Sequence, residues 1–353
     1  MNATKQIHIV ILYTELAAYT IACIEALSKK NITVHVFHYP INKEAPFKFN
    51  QTNTEIYYYN KQNHNYQQLL ETIITINPKL MYCAGWADKD YLKIIKQVPK
   101  KTVTVLGFDN KWFGNLKQRL STIYAQLFIT PYFNYAFVPG STQEQFAKKL
   151  GFNADKIIKG VYSADVSLFN SIYEKQQLQK QQSLPHRFIY IGRYYDFKGI
   201  KELWQAFIEL QTENPNNWEL WCLGVGDIEP IEHPQIKHFG FVQPKDLENY
   251  LNQTAVFILP SKFEPWGVVV HEMAAAGFPM LLSNQIGSKE VFLNSPKNGF
   301  DFEAGSVVGI KKSLKKIIEM PDNELIQMGK YSHQLAQHIT PEIWVERLIK
   351  LID

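Results

Sequence analysis

The sequence is poor in cysteine, and it lacks the spacings that would give cysteine a chemical role. Its 3 cysteines, Cys23, Cys83 and Cys222, lie far apart inside apolar stretches. This pattern excludes a disulfide framework or a zinc finger and indicates small core residues in a reducing compartment. The glycine fingerprint that follows a strand in dinucleotide-binding proteins is also lacking, which argues against a dehydrogenase.

Long hydrophobic runs are lacking as well. No run approaches the roughly 20 consecutive apolar residues of a membrane helix, and the first residues, MNATKQIHIV, do not have the charged-then-apolar pattern of a signal peptide. We therefore expect a cytoplasmic protein, with peripheral attachment at the inner face of the cell membrane left open. The 353 residues are 46% hydrophobic and 14% aromatic, enough for two ordinary folded domains.

Acidic residues are scarce in the first half of the chain. Residues 1–175 contain 20 Lys and Arg against 12 Asp and Glu (+8), whereas residues 176–353 contain 17 against 21 (−4). A solvated lysine-rich face explains this excess most simply, but a basic surface also attracts an anionic acceptor or an anionic membrane. Nucleic acid is not an expected partner, because no reader motif and no joint stripe of basic and aromatic residues is present.

Short apolar runs alternate with helical patterns along residues 1–175. The predicted strands are 7–13, 33–39, 79–84, 102–108, 135–138 and 156–161, and the predicted helices are 15–30, 66–76, 91–98, 115–129 and 141–150. Such alternation is typical of parallel strands covered by helices. We predict a Rossmann-like, doubly wound domain over 1–175.

The composition changes between residues 173 and 187 to a glutamine-rich stretch that contains EKQQLQKQQSLPH, which we interpret as a linker. The alternating pattern then restarts and predicts a second Rossmann-like domain over 187–338. Its predicted strands are 188–191, 218–223, 236–239, 255–259 and 279–282, and its helices are 200–210, 244–251, 268–276, 307–320 and 323–338. A last helix lies in 339–353, after Thr340-Pro341, a natural helix start.

The most specific pattern is residues 255–277, AVFILPSKFEPWGVVVHEMAAAG. A buried strand is predicted to end near Pro260, and a helix begins near Gly267. Ligands of open α/β sheets bind at this edge of the sheet. The free backbone N–H groups of Gly267, Val268 and Val269, together with the positive end of the helix dipole, fit an anionic diphosphate.

Two carboxylates belong to the same pattern. Glu264 lies in the loop before the helix, and Glu272 lies one turn inside it. We expect Glu272 to accept hydrogen bonds from both hydroxyls of a ribose and Glu264 to reach hydroxyls of a transferred sugar. Two glutamates eight residues apart are common on solvated surfaces, but the strand before them and the helix around them favour a binding site.

A second pattern is residues 188–199, FIYIGRYYDFKG. The predicted strand ends at Gly192, where the missing side chain lets a ligand approach the backbone. Arg193 can form forked contacts with phosphate, and Lys198 adds a point charge. Such fixed cations stabilise a diphosphate leaving group as its negative charge grows, without a metal ion.

Together these two patterns resemble the signatures of retaining glycosyltransferase family 4. The matching motifs are G-R-x4-K-G over 192–199 and S-x2-E-P-W-G-x4-E-M-x3-G over 261–277, which includes an E-x7-E spacing. The resemblance implies the GT-B fold, in which two Rossmann-like domains face a cleft. It also implies that Arg193 and Lys198 bind the donor diphosphate, that Glu272 holds the ribose and that Glu264 contacts the donor sugar. The family's last helix crosses back to the first domain.

Two glycine-containing loops are weaker candidates. Gly224-Val225-Gly226 and Gly240-Phe241-Val242 look like the loops that surround the nucleotide base in this family, with Val242 as a backbone contact. Glycines so spaced are commoner in plain turns than in ligand loops, and both interpretations stay open.

The first half departs from the common family pattern, which has a glycine pair after the first strand and a histidine near the sugar. Residues at predicted strand ends are the acceptor-side candidates here: Tyr13, Glu15, Trp86, Asp109 and Asn110. Asp109 is the preferred acceptor contact. Trp86 and Trp112 can stack on a sugar ring, although tryptophan lies more often in a core or at its rim.

Neither the Asp88-Lys89-Asp90 triplet nor the histidines indicate a metal site. Asp88 precedes a predicted helix, where aspartate is a favoured cap. The histidines on or beside predicted strands and helices have no ligand spacing and are interpreted as structural: His8, His35, His38 and His271.

The expected reaction is transfer with retention from a UDP- or GDP-linked sugar to a glycan or lipid-linked acceptor in cell-surface polysaccharide synthesis, such as that of lipopolysaccharide. No cofactor and no metal are expected. A sugar-nucleotide epimerase, a glycogen-type synthase and a non-catalytic nucleotide-sugar-binding protein remain alternatives on the same fold.

Overall fold

The computed structural model describes residues 6–40, 47, 51 and 53–352. The chain divides into two compact units. Unit 1 comprises the described residues up to Ser163 together with those from Pro341 onward, and unit 2 comprises Ala164–Thr340. The boundary therefore lies before the 173–187 stretch that the composition indicated.

Unit 1 contains a seven-stranded sheet in which every pair of neighbouring strands is parallel. The strand order is β3-β2-β1-β4-β5-β6-β7. The strands are β1 (Ile7–Leu12), β2 (Ile32–His38), β3 (Ile56–Asn60), β4 (Leu80–Ala84), β5 (Val103–Gly107), β6 (Tyr135–Val138) and β7 (Ile157–Lys159). The central strands read as almost continuous apolar runs because helices cover both faces of the sheet.

Five helices connect these strands: α1 (Ala18–Ser28), α2 (Tyr66–Ile76), α3 (Lys89–Ile95), α4 (Leu116–Phe128) and α5 (Ser141–Lys149). Capping side chains mark the starts of α2, α3 and α4. Asn65 and Gln68 form a capping box at the start of α2. The Asp88 carboxylate caps α3 by accepting from the backbone N–H groups of Asp90 and Tyr91 at 2.8 and 2.9 Å, which confirms the capping interpretation of this aspartate.

Unit 2 contains a six-stranded, all-parallel sheet with the order β10-β9-β8-β11-β12-β13. The strands are β8 (Arg187–Ile191), β9 (Glu219–Leu223), β10 (Ile236–His238), β11 (Val256–Leu259), β12 (Met280–Ser283) and β13 (Gly299–Phe302). The helices are α6 (Val166–Gln182), α7 (Ile200–Glu213), α8 (Glu248–Leu251), α9 (Val268–Ala275), α10 (Lys289–Phe292), α11 (Val307–Ile318) and α12 (Asp322–Ala336).

Both sheets have the strand order of doubly wound folds, with one point where the order reverses. The reversal lies between β1 and β4 in unit 1 and between β8 and β11 in unit 2. Loops at the carboxyl ends of these strands diverge to opposite faces of the sheet and leave a crevice where ligands bind. In unit 2 these are the two loops that carry the sequence motifs.

The last helix of the chain, α13 (Pro341–Ile349), belongs to unit 1 and packs on α1. Trp344, Val345 and Leu348 are buried in the core on one face of the first sheet. The Trp344 indole N–H donates to the Val161 carbonyl at 2.9 Å. The helix is therefore an integral part of the unit 1 core.

The linker interpretation of residues 173–187 is wrong, because most of this stretch lies inside helix α6. The buried face of α6 begins with Val166, Phe169 and Ile172 and continues through Gln176 and Lys180. Polar residues thus occupy the positions at which an apolar repeat would have revealed the helix. The Gln176 side-chain NH2 donates to the Ala276 carbonyl at 2.6 Å, whereas its buried Oε1 has no hydrogen-bond partner among the described residues.

Two edge strands were not predicted from the sequence, β3 and β13. Each has only one strand neighbour, and each is partly exposed, so its sequence lacks the apolar run of a central strand. Tyrosines fill β3, and an aspartate interrupts the phenylalanines of β13. A short, half-buried edge strand gives the weakest sequence signal of any element.

Lys180 provides a test of how unit 2 packs around α6. Its side chain is buried, its Nζ lies 4.0 Å from the centre of the Phe278 ring, and it forms no hydrogen bond or ion pair with any described residue. Burial lowers the pKa of Lys180 well below its usual range. We expect Lys180→Met to raise the free energy of unfolding in urea by about 1–2 kcal/mol near pH 7.

This gain should shrink as pH rises. The native protein binds fewer protons at Lys180 than the unfolded chain does, so wild-type stability increases with pH until the unfolded lysine also loses its proton near pH 10. Lys175→Met on the exposed side of the same helix is the matched control and should change stability by less than about 0.5 kcal/mol. A less stable Lys180→Met variant at pH 7 would show that the ammonium group is favourably solvated.

Candidate active site

The loops after β8 and β11 are held together by backbone contacts. The N–H groups of Lys262 and Phe263 both donate to the Phe197 carbonyl, at 2.8 and 3.3 Å. The Lys262 ammonium also pairs with Asp196 at 2.9 Å and with Glu202 at 2.7 Å. The two sequence motifs, over 192–199 and 261–277, therefore form one structure at the edge of the sheet.

Gly199 makes this close approach possible. Its φ of +69° is in the left-handed region, and a Cβ at this position would lie 2.3 Å from the Pro260 carbonyl oxygen. A side chain would therefore be strained by both its backbone conformation and the space available. Glycine at the end of the G-R-x4-K-G motif is thus required by packing against the end of β11.

A buried ion pair joins the two loops at their centre. The Lys198 ammonium contacts the Glu264 carboxylate, and both side chains are largely buried. The Ser261 hydroxyl lies 3.4 Å from the same carboxylate oxygen. The structure thus brings together two of the four predicted donor-site side chains.

The loop that carries Glu264 rests on a neighbouring loop over 286–288. The Glu264 carbonyl accepts from the Gly287 N–H at 3.1 Å, and the Trp266 carbonyl accepts from the Ser288 N–H at 2.9 Å. The Ser288 hydroxyl donates to the Gly267 carbonyl at 3.1 Å. These contacts fix the direction in which α9 leaves the loop.

The first N–H groups of α9 have no partner in the described part of the chain. Gly267, Val268 and Val269 are each partly exposed, and their N–H groups meet no acceptor among the described residues. The side chain of the N-cap position is absent because it is a glycine. The start of the helix can therefore receive an anionic ligand on its own N–H groups.

Glu272 lies one turn further along α9 with an altered acidity. Burial, assisted by the negative charge of Asp165, raises the pKa of Glu272 to about 7. The side chain is nevertheless partly exposed, so it can still be reached from solvent. A carboxylate in this setting gains from hydroxyl donors, because they replace the water it has lost.

The backbone at Gly192 and Arg193 is fixed from within unit 2. The Tyr190 hydroxyl donates to the Arg193 carbonyl at 2.9 Å, and a Cβ on Gly192 would lie 2.8 Å from that hydroxyl. Arg193 itself is partly exposed. It stands in the loop directly after β8, on the same edge as Lys198.

The loops that contain Gly224 and Gly240 pack closely against neighbouring backbone. A Cβ on Gly224 would lie 1.8 Å from the Gly192 carbonyl oxygen, and the Gly224 N–H donates to the Gly240 carbonyl at 2.7 Å. Gly224 is thus required by the contact between loops. Val242 is partly exposed in the loop after β10, and its role as a base contact stays a prediction.

On the acceptor side, the structure brings Tyr13 and Asp109 into one electrostatic environment. The Asp109 charge contributes, after burial, to raising the pKa values of Tyr13, Tyr82 and Tyr162. The rings of Tyr13 and Tyr82 stack with centres 6.1 Å apart. The Asp109 carbonyl accepts from the Gln143 side-chain amide at 3.0 Å.

Three tyrosines of this group were missed by the sequence analysis: Tyr19, Tyr82 and Tyr162. Together with Tyr13 they line a small cavity in unit 1 that also includes Trp344. Tyr82 lies inside β4, where the sequence shows only another apolar strand position. Tyr82 comes close to Tyr13 because β1 pairs with β4. This pairing can be known only once the strand order is known.

The remaining acceptor-side candidates are Trp86, Glu15 and Asn110. The Trp86 ring packs against Phe108 at 5.2 Å and, like Trp112, lies at the rim of the core. Glu15 and Asn110 are exposed at the ends of their strands. Their acceptor-side roles therefore stay predictions.

The histidines have structural partners, as the sequence indicated. His271 accepts from the Ala164 N–H at 3.0 Å through Nδ1 and donates to the Ala336 carbonyl at 2.9 Å through Nε2, and burial lowers its pKa to about 4. His35 lies 3.1 Å from His8, and burial with this neighbour lowers its pKa to about 4. The His38 Nδ1 donates to the Tyr39 carbonyl at 2.7 Å.

The structure aligns with solved glycosyltransferases along almost its whole length. A glycosyltransferase from Rickettsia africae ESF-5 matches with a TM-score of 0.72 and 12% identity over 99% of this chain and 98% of that chain. Anabaena HepE, solved in complex with UDP, matches with a TM-score of 0.70 and 13% identity over 97% of this chain and 99% of that chain. The fold is therefore GT-B, with two parallel-sheet α/β domains.

Sequence comparison adds a similarity that covers most of the second unit. Residues 185–320 match the family model described as "Glycosyl transferases group 1". Spore coat protein SA of Bacillus subtilis (strain 168) is 26% identical over 42% of this chain and 43% of its own. A glycogen synthase of Mycobacterium tuberculosis (strain CDC 1551 / Oshkosh) is 26% identical over 39% of this chain and 35% of its own. The chain thus spans less than half the length of these curated relatives.

Within the part of the chain that the structure describes, no helix combines the length and the apolar character needed to cross a bilayer.

The Gly199 contact can be tested by adding a single methyl group. We expect Gly199→Ala to lower the free energy of unfolding by about 3 kcal/mol or more, because the left-handed conformation and the clash with Pro260 both act. Gly305→Ala is the matched control, since Gly305 has a φ of +77° but nothing within 4 Å of the added carbon. The control should lose only about 1–2 kcal/mol in urea unfolding. Equal losses would show that the β11 contact carries no strain.

Proposed function

We propose that this protein is a retaining, metal-independent glycosyltransferase that uses a nucleoside diphosphate sugar as its donor. The observation that carries the proposal is the arrangement at the β8–β11 edge. The Lys198–Glu264 pair and the N–H groups at the start of α9, which have no acceptor among the described residues, occur at the reversal point of a doubly wound sheet. The similarity of residues 185–320 to group 1 glycosyl transferases supports it.

In this proposal the diphosphate is the central ligand. Arg193 and Lys198 supply positive charge, and the N–H groups of Gly267, Val268 and Val269 donate to phosphate oxygens. The HepE structure in complex with UDP supports a diphosphate as a ligand that this fold accepts. The space beside the Gly192 backbone is occupied by the Tyr190 hydroxyl, so Gly192 serves to hold the loop that carries Arg193 in place.

The two glutamates bind the two sugars of the donor. Glu272 accepts from the ribose hydroxyls, Glu264 contacts hydroxyls of the transferred sugar, and Val242 contacts the base through its backbone. The Glu264 carboxylate pairs with Lys198. A bound diphosphate then shares the lysine and leaves Glu264 oxygen positions for sugar hydroxyls, so the pair keeps both groups in place beforehand.

The chemical step follows from where charge develops. The bond between the anomeric carbon and the diphosphate oxygen breaks, and the acceptor hydroxyl attacks from the face that the diphosphate leaves. The hydroxyl proton passes to a phosphate oxygen of the leaving group. Arg193 and Lys198 have a catalytic role because they stabilise the charge that grows on the diphosphate. Glu264 has its catalytic role through its contact with hydroxyls of the transferred sugar.

Tyr13 and Asp109 at the edge of the first sheet are the groups proposed to meet the acceptor, with Glu15, Trp86 and Asn110 as further contacts. A glycan or lipid-linked acceptor in cell-surface polysaccharide synthesis fits the basic character of residues 1–175. The donor nucleotide is UDP or GDP, and the protein acts in the cytoplasm. Elongation of an α-glucan is a second candidate, favoured by the similarity to a glycogen synthase.

Measurements of donor binding can distinguish the role of Lys198 from that of the neighbouring Lys262. We expect sugar nucleotides to bind in calorimetry, and Lys198→Ala and Arg193→Ala to weaken binding at least about tenfold by removing a charge-assisted contact. Lys262→Ala is the matched control, because Lys262 lies in the same pair of loops but pairs with Asp196 and Glu202. Its affinity should stay within about twofold of wild type.

The screen includes UDP, GDP and ADP sugars with and without a chelator, followed by product analysis with glycan and α-glucan acceptors. Transfer that survives the chelator supports the metal-free mechanism. Absence of binding by every sugar nucleotide would overturn the donor-site assignment. An equal loss in the Lys262 variant would mean that general loop charge, and not Lys198, holds the diphosphate.

The raised pKa of Glu272 predicts that the affinity for the sugar nucleotide depends on pH. Its pKa of about 7 means that the carboxylate is mostly ionised at pH 8 and mostly protonated at pH 6. A protonated carboxyl accepts fewer hydrogen bonds from ribose, so affinity for the sugar nucleotide should fall by about tenfold from pH 8 to pH 6. The diphosphate of the sugar nucleotide does not titrate in this range, which leaves the protein as the source.

Glu272→Gln is the control for this experiment. It should bind more weakly than wild type at pH 8 and show little dependence on pH, because the amide has no proton to gain. A wild-type affinity that does not change between pH 6 and pH 8 would contradict a role for the Glu272 carboxylate in donor binding.

A further inference from the structure

Helix α4 exposes its large apolar side chains and buries its small ones. Its buried residues are Thr122 and Ala125. Seven large apolar side chains on or next to the helix are between 49% and 72% exposed: Phe113, Leu116, Leu120, Ile123, Tyr124, Leu127 and Phe128. We call these seven the α4 apolar face. An ordinary surface helix has the opposite pattern.

The exposed residues form one continuous stripe. Leu116, Leu120, Ile123 and Leu127 follow the i, i+4, i+7, i+11 spacing that places side chains along one side of a helix. Tyr124 and Phe128 extend the stripe on its flank, with their rings 5.0 Å apart. Contiguous exposed apolar surface of this kind marks a site of association, in contrast to single exposed leucines.

The charge around the stripe selects the partner. From residue 110 to residue 143 the sequence contains no Asp or Glu, and its cations are Lys111, Lys117 and Arg119. Residues 89–159 contain 12 Lys and Arg against 4 Asp and Glu, so this one segment carries a net charge of +8. The basic excess of the first half is therefore concentrated in the part of the chain that carries α4.

We propose that the α4 apolar face inserts into the surface of an anionic lipid bilayer. A helix with an apolar stripe, flanking cations and no acidic residue is the usual form of an interfacial membrane helix. Apolar side chains enter the boundary between headgroups and acyl chains while lysine and arginine meet anionic headgroups. A second copy of this chain fits less well, because two segments of net charge +8 repel each other.

The position of α4 at the edge of the first sheet indicates a function for the α4 apolar face. α4 follows β5 after the loop that carries Asp109, so it starts at the same edge of the first sheet as the proposed acceptor contacts. A protein held by α4 meets acceptors that are themselves attached to a lipid. This use rests on the proposed function, whereas the membrane binding itself does not.

Vesicle sedimentation of the full chain tests the proposal without donor or acceptor. Wild-type protein should bind vesicles of phosphatidylcholine with about one third phosphatidylglycerol at least about tenfold more strongly than vesicles of phosphatidylcholine alone, and high salt should weaken the binding. Leu120→Ser with Leu127→Ser should reduce binding to the anionic vesicles by about tenfold or more.

The matched control removes exposed apolar side chains elsewhere. Leu178 and Val308 are 68% and 71% exposed and lie in unit 2, so Leu178→Ser with Val308→Ser should bind vesicles like wild type. Lys117→Gln should weaken binding and flatten its salt dependence, which gives a second variant that leaves the stripe intact. Unchanged melting temperatures confirm that the variants are folded, since the altered side chains are exposed.

Three outcomes would overturn the proposal. The first is wild-type protein that does not bind anionic vesicles, and the second is an equal loss of binding in the Leu178 and Val308 control. The third is self-association in sedimentation equilibrium that the Leu120 and Leu127 variant abolishes while vesicle binding persists, which would assign the face to a second copy. Donor binding is unaffected in each case, so failure here is distinguishable from failure of the proposed function.

Discussion

The close approach of two loops at the reversal point of the second sheet is the constraint on which the candidate site depends. Parallel strands place all their carboxyl ends at one edge, but this alone would leave the loops after β8 and β11 side by side without contact. Because residue 199 is a glycine, the loop after β8 can lie against the Pro260 carbonyl. The Phe197 carbonyl then accepts hydrogen bonds from two N–H groups of the loop after β11. With the backbones joined, Lys198 reaches Glu264, and α9 begins with its N–H groups at the same edge.

Much of this arrangement could be read from the sequence because its signals are local. The end of a buried strand, a glycine and the first turn of a helix occupy adjacent positions, as residues 188–199 and 255–277 show. The Asp88 cap and the structural histidines were predictable for the same reason. Each depends on a residue type whose preferred partner is a nearby backbone group.

The features that could not be predicted from the sequence depend on contacts between residues that are distant in the chain. Residues 173–187 have the composition of a linker because Gln176 and Lys180 occupy buried positions of α6, and the groups that they contact, the Ala276 carbonyl and the Phe278 ring, come from elsewhere in the chain. The tyrosine group around Tyr13 was invisible because Tyr82 and Tyr162 come from separate parts of the chain. The burial pattern of α4 could not be known either, since an amphipathic repeat does not tell which side faces the protein.

The membership of α13 in unit 1 has a consequence for synthesis of the chain. Unit 2 is continuous, from Ala164 to Thr340, whereas unit 1 is built from two segments, one that precedes unit 2 and one that follows it from Pro341 onward. On the ribosome, the second unit can complete its core while the first still exposes the surface that Trp344, Val345 and Leu348 will cover. Unit 1 therefore begins to be translated before unit 2 but is completed after it, and a chain that lacks α13 keeps an open hydrophobic core that protein quality control can recognise.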